Sequence, residues 1–252
     1  MSAFFCAENL KIRYEPFPIG QMAPVVEDGV YEELLDDWPD LELFEYKAHQ
    51  GHKWTLAETC NGANYRKFVK ETPVWTRFDR WIKSPDFIDA IMGSLLERHI
   101  DLGYRPGISR TRQMVKNLKA MVRGRPANRG IRLAASWEFQ MISADGGHLL
   151  PHTDAPSKIV TMTLSMVRKG EWDISTGGGI DINRPIHESL AFNQLNDQAR
   201  FEDMETIDTL EFLPNSGVVF IKTFNSWHSV RPIQGPKDGL MRRNIIVNVM
   251  AR

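Results

Sequence analysis

The spacing of apolar residues changes near residue 133, from helical periodicity to alternation. That switch limits the chain to helices packed against a sheet. Leu133, Ala135, Trp137, Phe139 and Met141 alternate with Ala134, Ser136, Glu138 and Gln140. Successive side chains on a strand point to opposite faces, so this pattern predicts a strand with one apolar face. A second strand is expected over 159–167, where Val160, Met162, Leu164 and Met166 alternate with Thr161, Thr163 and Ser165. Segments 210–213, 217–222 and 244–250 read as further strands, and Asp145-Gly146-Gly147 and Gly177-Gly178-Gly179 as turns between them.

Before residue 132 the pattern is mostly helical. One helix is expected over 26–35, with Val30, Leu34 and Leu35 on one face and Trp38-Pro39 as its stop. A second starts at Thr72-Pro73, where threonine can cap and proline suits the first turn, and it lines up Trp75, Phe78 and Ile82. A third runs from Ser84-Pro85 through Phe87, Ile91, Leu95 and Leu96, with Gly103 as the expected terminator. Residues 44–70 read as polar and irregular. The expectation is a mainly β core with flanking helices, an antiparallel sandwich or open barrel forming one catalytic domain over 1–252. Residues 1–132 would be helical support and substrate-side elements, and 133–252 the sheet core.

Composition removes several classes of function. The chain has 252 residues and a formal net charge of -1, so no overall basic excess points to nucleic acid. No apolar run approaches the roughly 20 residues a membrane span needs. The segment Met1-Ser2-Ala3-Phe4-Phe5-Cys6 lacks the charged and apolar regions of a signal peptide. Two cysteines, Cys6 and Cys60, fit a reducing, cytoplasmic setting better than a disulfide framework. The stretch 109–132 carries Arg110, Arg112, Lys116, Lys119, Arg123, Arg125, Arg129 and Arg132 without an acidic or aromatic residue. It reads as a solvated insertion rather than an anion clamp, and offers no stacking platform for single strands.

The chemistry gathers at His152-Thr153-Asp154. Two imidazoles and one carboxylate can hold a divalent metal on one face and leave other positions open, the arrangement of non-haem Fe(II) oxygenases. A bare His-x-acid match is weak: seven histidines and an acid frequency of 32 in 252 give about one by chance. His99-Ile100-Asp101 is such a second match. It lies at the end of an expected helix, where residues two apart diverge by roughly 200°. His152 and Asp154 instead sit where an extended segment enters the sheet, and there i and i+2 share a face. His228, after the strand 217–222, is the third ligand expected; a core histidine satisfied by a carbonyl would fit that position as well. His49, His52, His148 and His187 read as structural or surface residues. The last strand offers Arg242 and Arg243. The set 243, 245, 247 and 249 is apolar apart from its arginine, so Arg243 is expected to point into the barrel, with Arg242 as the alternative one register away.

Taken in order, His152-Thr153-Asp154, Lys158-Ile159-Val160-Thr161, Gly178-Gly179-Ile180, 214–220 (PNSGVVF), Trp227-His228-Ser229-Val230 and Arg243 resemble the 2-oxoglutarate- and Fe(II)-dependent dioxygenases, the prolyl 4-hydroxylase-like branch in particular. The resemblance covers about 133–252 and says little of the substrate. It implies a double-stranded β-helix, or jelly roll, with an α-helical N-terminal half packed on it. It implies Fe(II) on His152, Asp154 and His228, and 2-oxoglutarate chelating the metal with its far carboxylate on Arg243. It also implies O2 as oxidant, ascorbate as support, and release of succinate and CO2. An intact Asp154 speaks for hydroxylation, since related halogenases lack that carboxylate. The branch often carries a tyrosine where this chain has Ser165. Ser165, Thr161 and Thr163 on one strand, with Gln140 on the strand before, are the expected further co-substrate contacts. The substrate class left open is a small metabolite or an amino-acid or peptidyl side chain. A cupin-like metal-dependent isomerase or hydrolase and a non-catalytic jelly-roll binding protein are the alternatives.

Overall fold

A computed structural model describes residues 4–104, 115, 118–119, 121–123, 133–237 and 239–251. Most of the basic segment 109–132 lies outside the described residues, so the reading of it as an insertion is untouched.

Two antiparallel sheets make the core. The strands are β1 (Lys11–Arg13), β2 (Ile19–Met22), β3 (Glu45–Lys47), β4 (Lys53–Ala57), β5 (Leu133–Ser143) and β6 (Leu149–His152). They continue with β7 (Lys158–Ser165), β8 (Ile180–Pro185), β9 (Met204–Leu210), β10 (Gly217–Ile221), β11 (His228–Val230) and β12 (Met241–Ala251). The large sheet runs β1-β2-β10-β7-β12-β5-β4-β3, and the small one β6-β11-β8-β9. Consecutive strands after β5 largely alternate between the sheets, so each crossing carries the chain over the space between them.

Helices α1 (Asp28–Asp36), α2 (Gly62–Glu71), α3 (Pro73–Ile82) and α4 (Pro85–Glu97) cover the outer face of the large sheet. The alternation of β5 explains the contact. Trp137 and Phe139 face the helices, where the Trp75 ring stacks on Trp137 at 5.6 Å and meets Phe139 edge-on at 4.6 Å. Aromatic pairs at such spacing bury a large apolar area and fix mutual orientation. Proline opens α3 and α4, and Ser84 Oγ accepts from Phe87 N at 3.3 Å as the cap of α4. Thr72 stands at the cap position of α3 but its side chain makes no capping bond. Gly103 does not end α4. His99 takes the left-handed conformation at φ 58°, and Ile100 N donates to Leu95 O, which closes the helix. His99 thus serves a helix end, as its place in the sequence suggests.

The region 44–70 is not irregular: it holds β3, β4 and α2. β4 pairs with β5 from Lys53↔Ile142 to Ala57↔Glu138. The expected strand at 210–213 keeps only Leu210, as the end of β9. Among the described residues no helix is long and apolar enough to cross a membrane.

Candidate metal centre

The ligand atoms of His152, Asp154 and His228 lie within 4.8 Å of one another. Three elements bring them there. His152 ends β6, His228 begins β11, and the two are direct cross-strand partners with ring centroids 4.3 Å apart. Asp154 lies two residues past His152 in a left-handed conformation, φ 71°, that turns its carboxylate back toward the imidazoles. Thr153 between them is fully buried and points the other way. Its hydroxyl donates to Asn193 O at 2.8 Å and accepts from Lys222 Nζ at 2.9 Å. The Trp227 indole, donating to Leu190 O at 3.1 Å, anchors the start of β11 in the same manner.

Each histidine is fixed by its Nδ1, which lies 2.8 Å from Leu150 O for His152 and 2.9 Å from Ser226 O for His228. A carbonyl partner requires Nδ1 to carry the proton, so both Nε2 lone pairs are free for a ligand. Phe220 stacks on the His228 ring at 4.0 Å and sets its plane. Burial first, and then the other imidazole, push His228 down to about 3, and burial also lowers His152, so both rings stay neutral. Burial works against ionised Asp154. The facing His228 and His152, the Lys158 ammonium and its hydrogen bond outweigh it and hold the carboxyl well below the usual range. Lys158 Nζ lies 2.6 Å from Asp154 Oδ1, four residues along the chain. Two neutral nitrogens and one carboxylate are a donor set for a divalent cation. Small rotamer shifts would bring their spread to the roughly 2.0–2.2 Å bonds such ligands form.

The triad lines a cavity of about 290 Å³ between the sheets, with Gln140, Thr161, Thr163 and Arg242 farther along its wall. The arginine that enters is Arg242, and Arg243 does not. Arg242 is 3% exposed; its Nε donates to Gly178 O at 2.5 Å and its guanidinium lies 4.6 Å over Phe212. Burial pulls it from 12.5 to about 9, leaving it charged at neutral pH, and among the described residues it has no carboxylate partner. Arg243 faces the helices, pairs with Glu171 and lies 5.8 Å from the Trp38 ring. The apolar set 245, 247 and 249 does face a core, but that core is the one under the helices. The more polar set, Arg242, Asn244, Ile246 and Asn248, looks into the space between the sheets.

Thr161 and Thr163 line the cavity, with Thr161 Oγ1 donating to Asn248 Oδ1 at 3.1 Å and Thr163 Oγ1 accepting from Val218 N at 3.1 Å. Ser165 is buried outside the lining, 3.5 Å from Ser216 Oγ. Lys158 and Asn244 are not singled out from the sequence as site residues, and Arg242 enters there only as the alternative to Arg243. Lys158 had a signal in its i+4 spacing from Asp154. Arg242 and Asn244 had one in the polar face they share. Both amide atoms of Asn244 are buried without a partner. His49 and His148, which read as structural or surface residues, line the cavity at its mouth.

No protein-family model and no curated protein matches the sequence. Solved structures do match the fold. The non-heme alpha-ketoglutarate-dependent epimerase SnoN from nogalamycin biosynthesis superposes with a TM-score of 0.50 at 12% identity, covering 94% of this chain and 80% of that one. SnoN has also been solved with Fe3+, alpha-ketoglutarate and nogalamycin RO, at the same identity and coverage. A prolyl-4-hydroxylase from Pseudomonas putida matches at a TM-score of 0.46 and 13% identity, over 93% of this chain and 92% of that one. The chain has a 2-oxoglutarate/Fe(II) oxygenase-like fold.

Proposed function

We propose that this chain is an Fe(II)- and 2-oxoglutarate-dependent dioxygenase, one catalytic unit built on a double-stranded β-helix, that hydroxylates a small metabolite or an amino-acid or peptidyl side chain. One observation carries the reading. A neutral-imidazole, ionised-carboxylate triad shares a single cavity with a buried arginine that has no anionic partner among the described residues. A charge buried in that way calls for an anion, and a dicarboxylate co-substrate that reaches from the metal to Arg242 supplies one.

His152, Asp154 and His228 would hold Fe(II). The bound metal, with 2-oxoglutarate and O2, supplies oxidative decarboxylation to succinate and CO2 and the oxidising equivalent used on the substrate. The chain's own residues provide order and polarity. The Leu150 and Ser226 carbonyls keep both Nε2 atoms aimed at one point. Lys158 keeps Asp154 ionised and oriented. Arg242 takes the far carboxylate of the co-substrate through its planar fork. Gln140, Thr161 and Thr163 line the same wall, and Gln140 and Thr163 would donate hydrogen bonds to the co-substrate. Asp154 fills the position a halide would need, which supports hydroxylation over halogenation.

The test is succinate formation from 2-oxoglutarate with Fe(II), ascorbate and O2. Slow turnover is expected even without substrate. Absence of succinate from protein shown to bind Fe(II) and 2-oxoglutarate would overturn the assignment. Incorporation of 18O from O2 into a stimulating compound then separates hydroxylation from an epimerisation, which leaves no label.

A further inference from the structure

The cavity holds two opposite charges that the metal and the co-substrate do not use. Lys53 on β4 and Glu138 on β5 both line it and both are partly buried. In the β4–β5 register Lys53 stands opposite Ile142 and Glu138 opposite Ala57. The two are thus offset by four residues, about 13 Å along the strands at ~3.3 Å per residue. Lys53 feels the field of Glu138, yet among the described residues neither forms an ion pair or a side-chain hydrogen bond. Burial lowers Lys53, with Glu138 the largest opposing influence. Half-buried charges facing one cavity from fixed strands, and kept from meeting, are preorganised for a molecule that brings both complements.

Their location fits a primary substrate. Arg242 lies on β12, one strand from Glu138 and two from Lys53, and Lys158 is occupied by Asp154. The exposed lining residues His49, Gln50 and Gln198 mark the mouth. Lys53 is held near that mouth because the chain just before it is locked: Gly51, φ +74°, accepts from His148 N at 3.0 Å, and a Cβ there would lie 1.9 Å from His148 O. The volume of about 290 Å³ is small for a site that must also hold a co-substrate.

We infer that the primary substrate is a small zwitterion, a free amino acid or a close analogue, whose carboxylate is received by Lys53 and whose ammonium is received by Glu138. This rests on the dioxygenase reading for the reaction but not for the binding, and the two separate experimentally.

Protein loaded with Fe(II) and 2-oxoglutarate under anaerobic conditions is screened by thermal shift against the free proteinogenic amino acids. Hits are measured by calorimetry beside their N-acetyl and C-amide forms. At least one free amino acid is expected to bind, and blocking either end is expected to weaken it at least tenfold. Lys53→Met should weaken that ligand at least tenfold and by more than it weakens 2-oxoglutarate. Glu138→Gln should erase the preference for the free amine over the N-acetyl form. Lys67→Met, an exposed change on α2, is the control. The blocked-ligand comparison uses the unaltered protein, so a misfolded variant does not remove the test. No hit in the screen, equal binding of blocked and free forms, or a Lys53→Met effect confined to 2-oxoglutarate would each overturn the inference. Tight amino-acid binding without succinate formation in air would keep it and remove the dioxygenase reading instead.

Discussion

Arg242 and Arg243 are adjacent in the chain and serve opposite faces of β12: Arg242 Nε donates to Gly178 O inside the cavity, and Arg243 pairs with Glu171 on the helix side. Their substitutions should therefore separate cleanly. Arg242→Met is expected to raise KM for 2-oxoglutarate roughly 10- to 100-fold, from the about 1.5–3 kcal/mol of a hydrogen bond to a charged group. Arg243→Met should leave that KM near its starting value and cost about 1 kcal/mol of stability or less, because its ion pair is partly exposed. Steady-state kinetics and thermal melts of both variants check this. A KM effect on Arg243 and none on Arg242 would reverse the assignment.

Asp154→Asn should leave the backbone in place and abolish metal binding. Asparagine tolerates the left-handed conformation found there, so the change removes the charge without adding the strain that Asp154→Ala would bring. Anaerobic Fe(II) or Co(II) titration followed by absorbance reads the outcome. Unchanged affinity in a folded variant would exclude Asp154 as a ligand.

Acid should destabilise the metal-free protein over a defined window. His228 falls from 6.5 to about 3 on folding and His152 is also lowered, so below pH 6.5 the unfolded chain takes up protons that the folded one refuses. Stability therefore drops as pH falls from about 6.5 toward 3. Asp154, lowered from 3.8, adds stability that is present above that value and lost as pH falls through its depressed folded value. Melting temperatures of the apo protein from pH 7.5 to 4 should decline, and His228→Gln should flatten the upper part of the curve. A flat profile in the unaltered protein would show that the imidazoles titrate normally.

Gly178→Ala should harm both the fold and the co-substrate site. Gly178 has φ +81°, and a Cβ there would lie 2.8 Å from Trp172 and 3.3 Å from Arg242 Cδ. The left-handed conformation alone costs alanine about 1–2 kcal/mol. The melting temperature should fall and KM for 2-oxoglutarate rise together. Gly170→Ala, also at positive φ but with open space around its Cβ, should lower stability without moving KM.

Much of this could be read in the chain. The alternation in β5 and β7, the helix starts at Pro73 and Pro85, and the i, i+2 placement of His152 and Asp154 are local properties, and local sterics decide them. The short strands β3, β4 and β1 carry no such pattern. They exist because a neighbour offers hydrogen-bonding partners, and β4 took Lys53 into the site from a stretch that reads as a loop.

The choice between Arg242 and Arg243 was likewise not local. A period of two shows that β12 has two unlike faces, but it does not say which layer covers each. The helices supply a large dry surface, so the apolar face of β12 packs there and carries Arg243 with it. On the proposed function, the space between the sheets would hold a metal, a dicarboxylate and a substrate. It tolerates the face bearing Arg242, Asn244 and Asn248 because those ligands can satisfy it. The sequence by itself determined the alternating strands β5, β7 and β12 and the candidate ligand residue types. Only the packing of one layer on another decided which arginine could meet them.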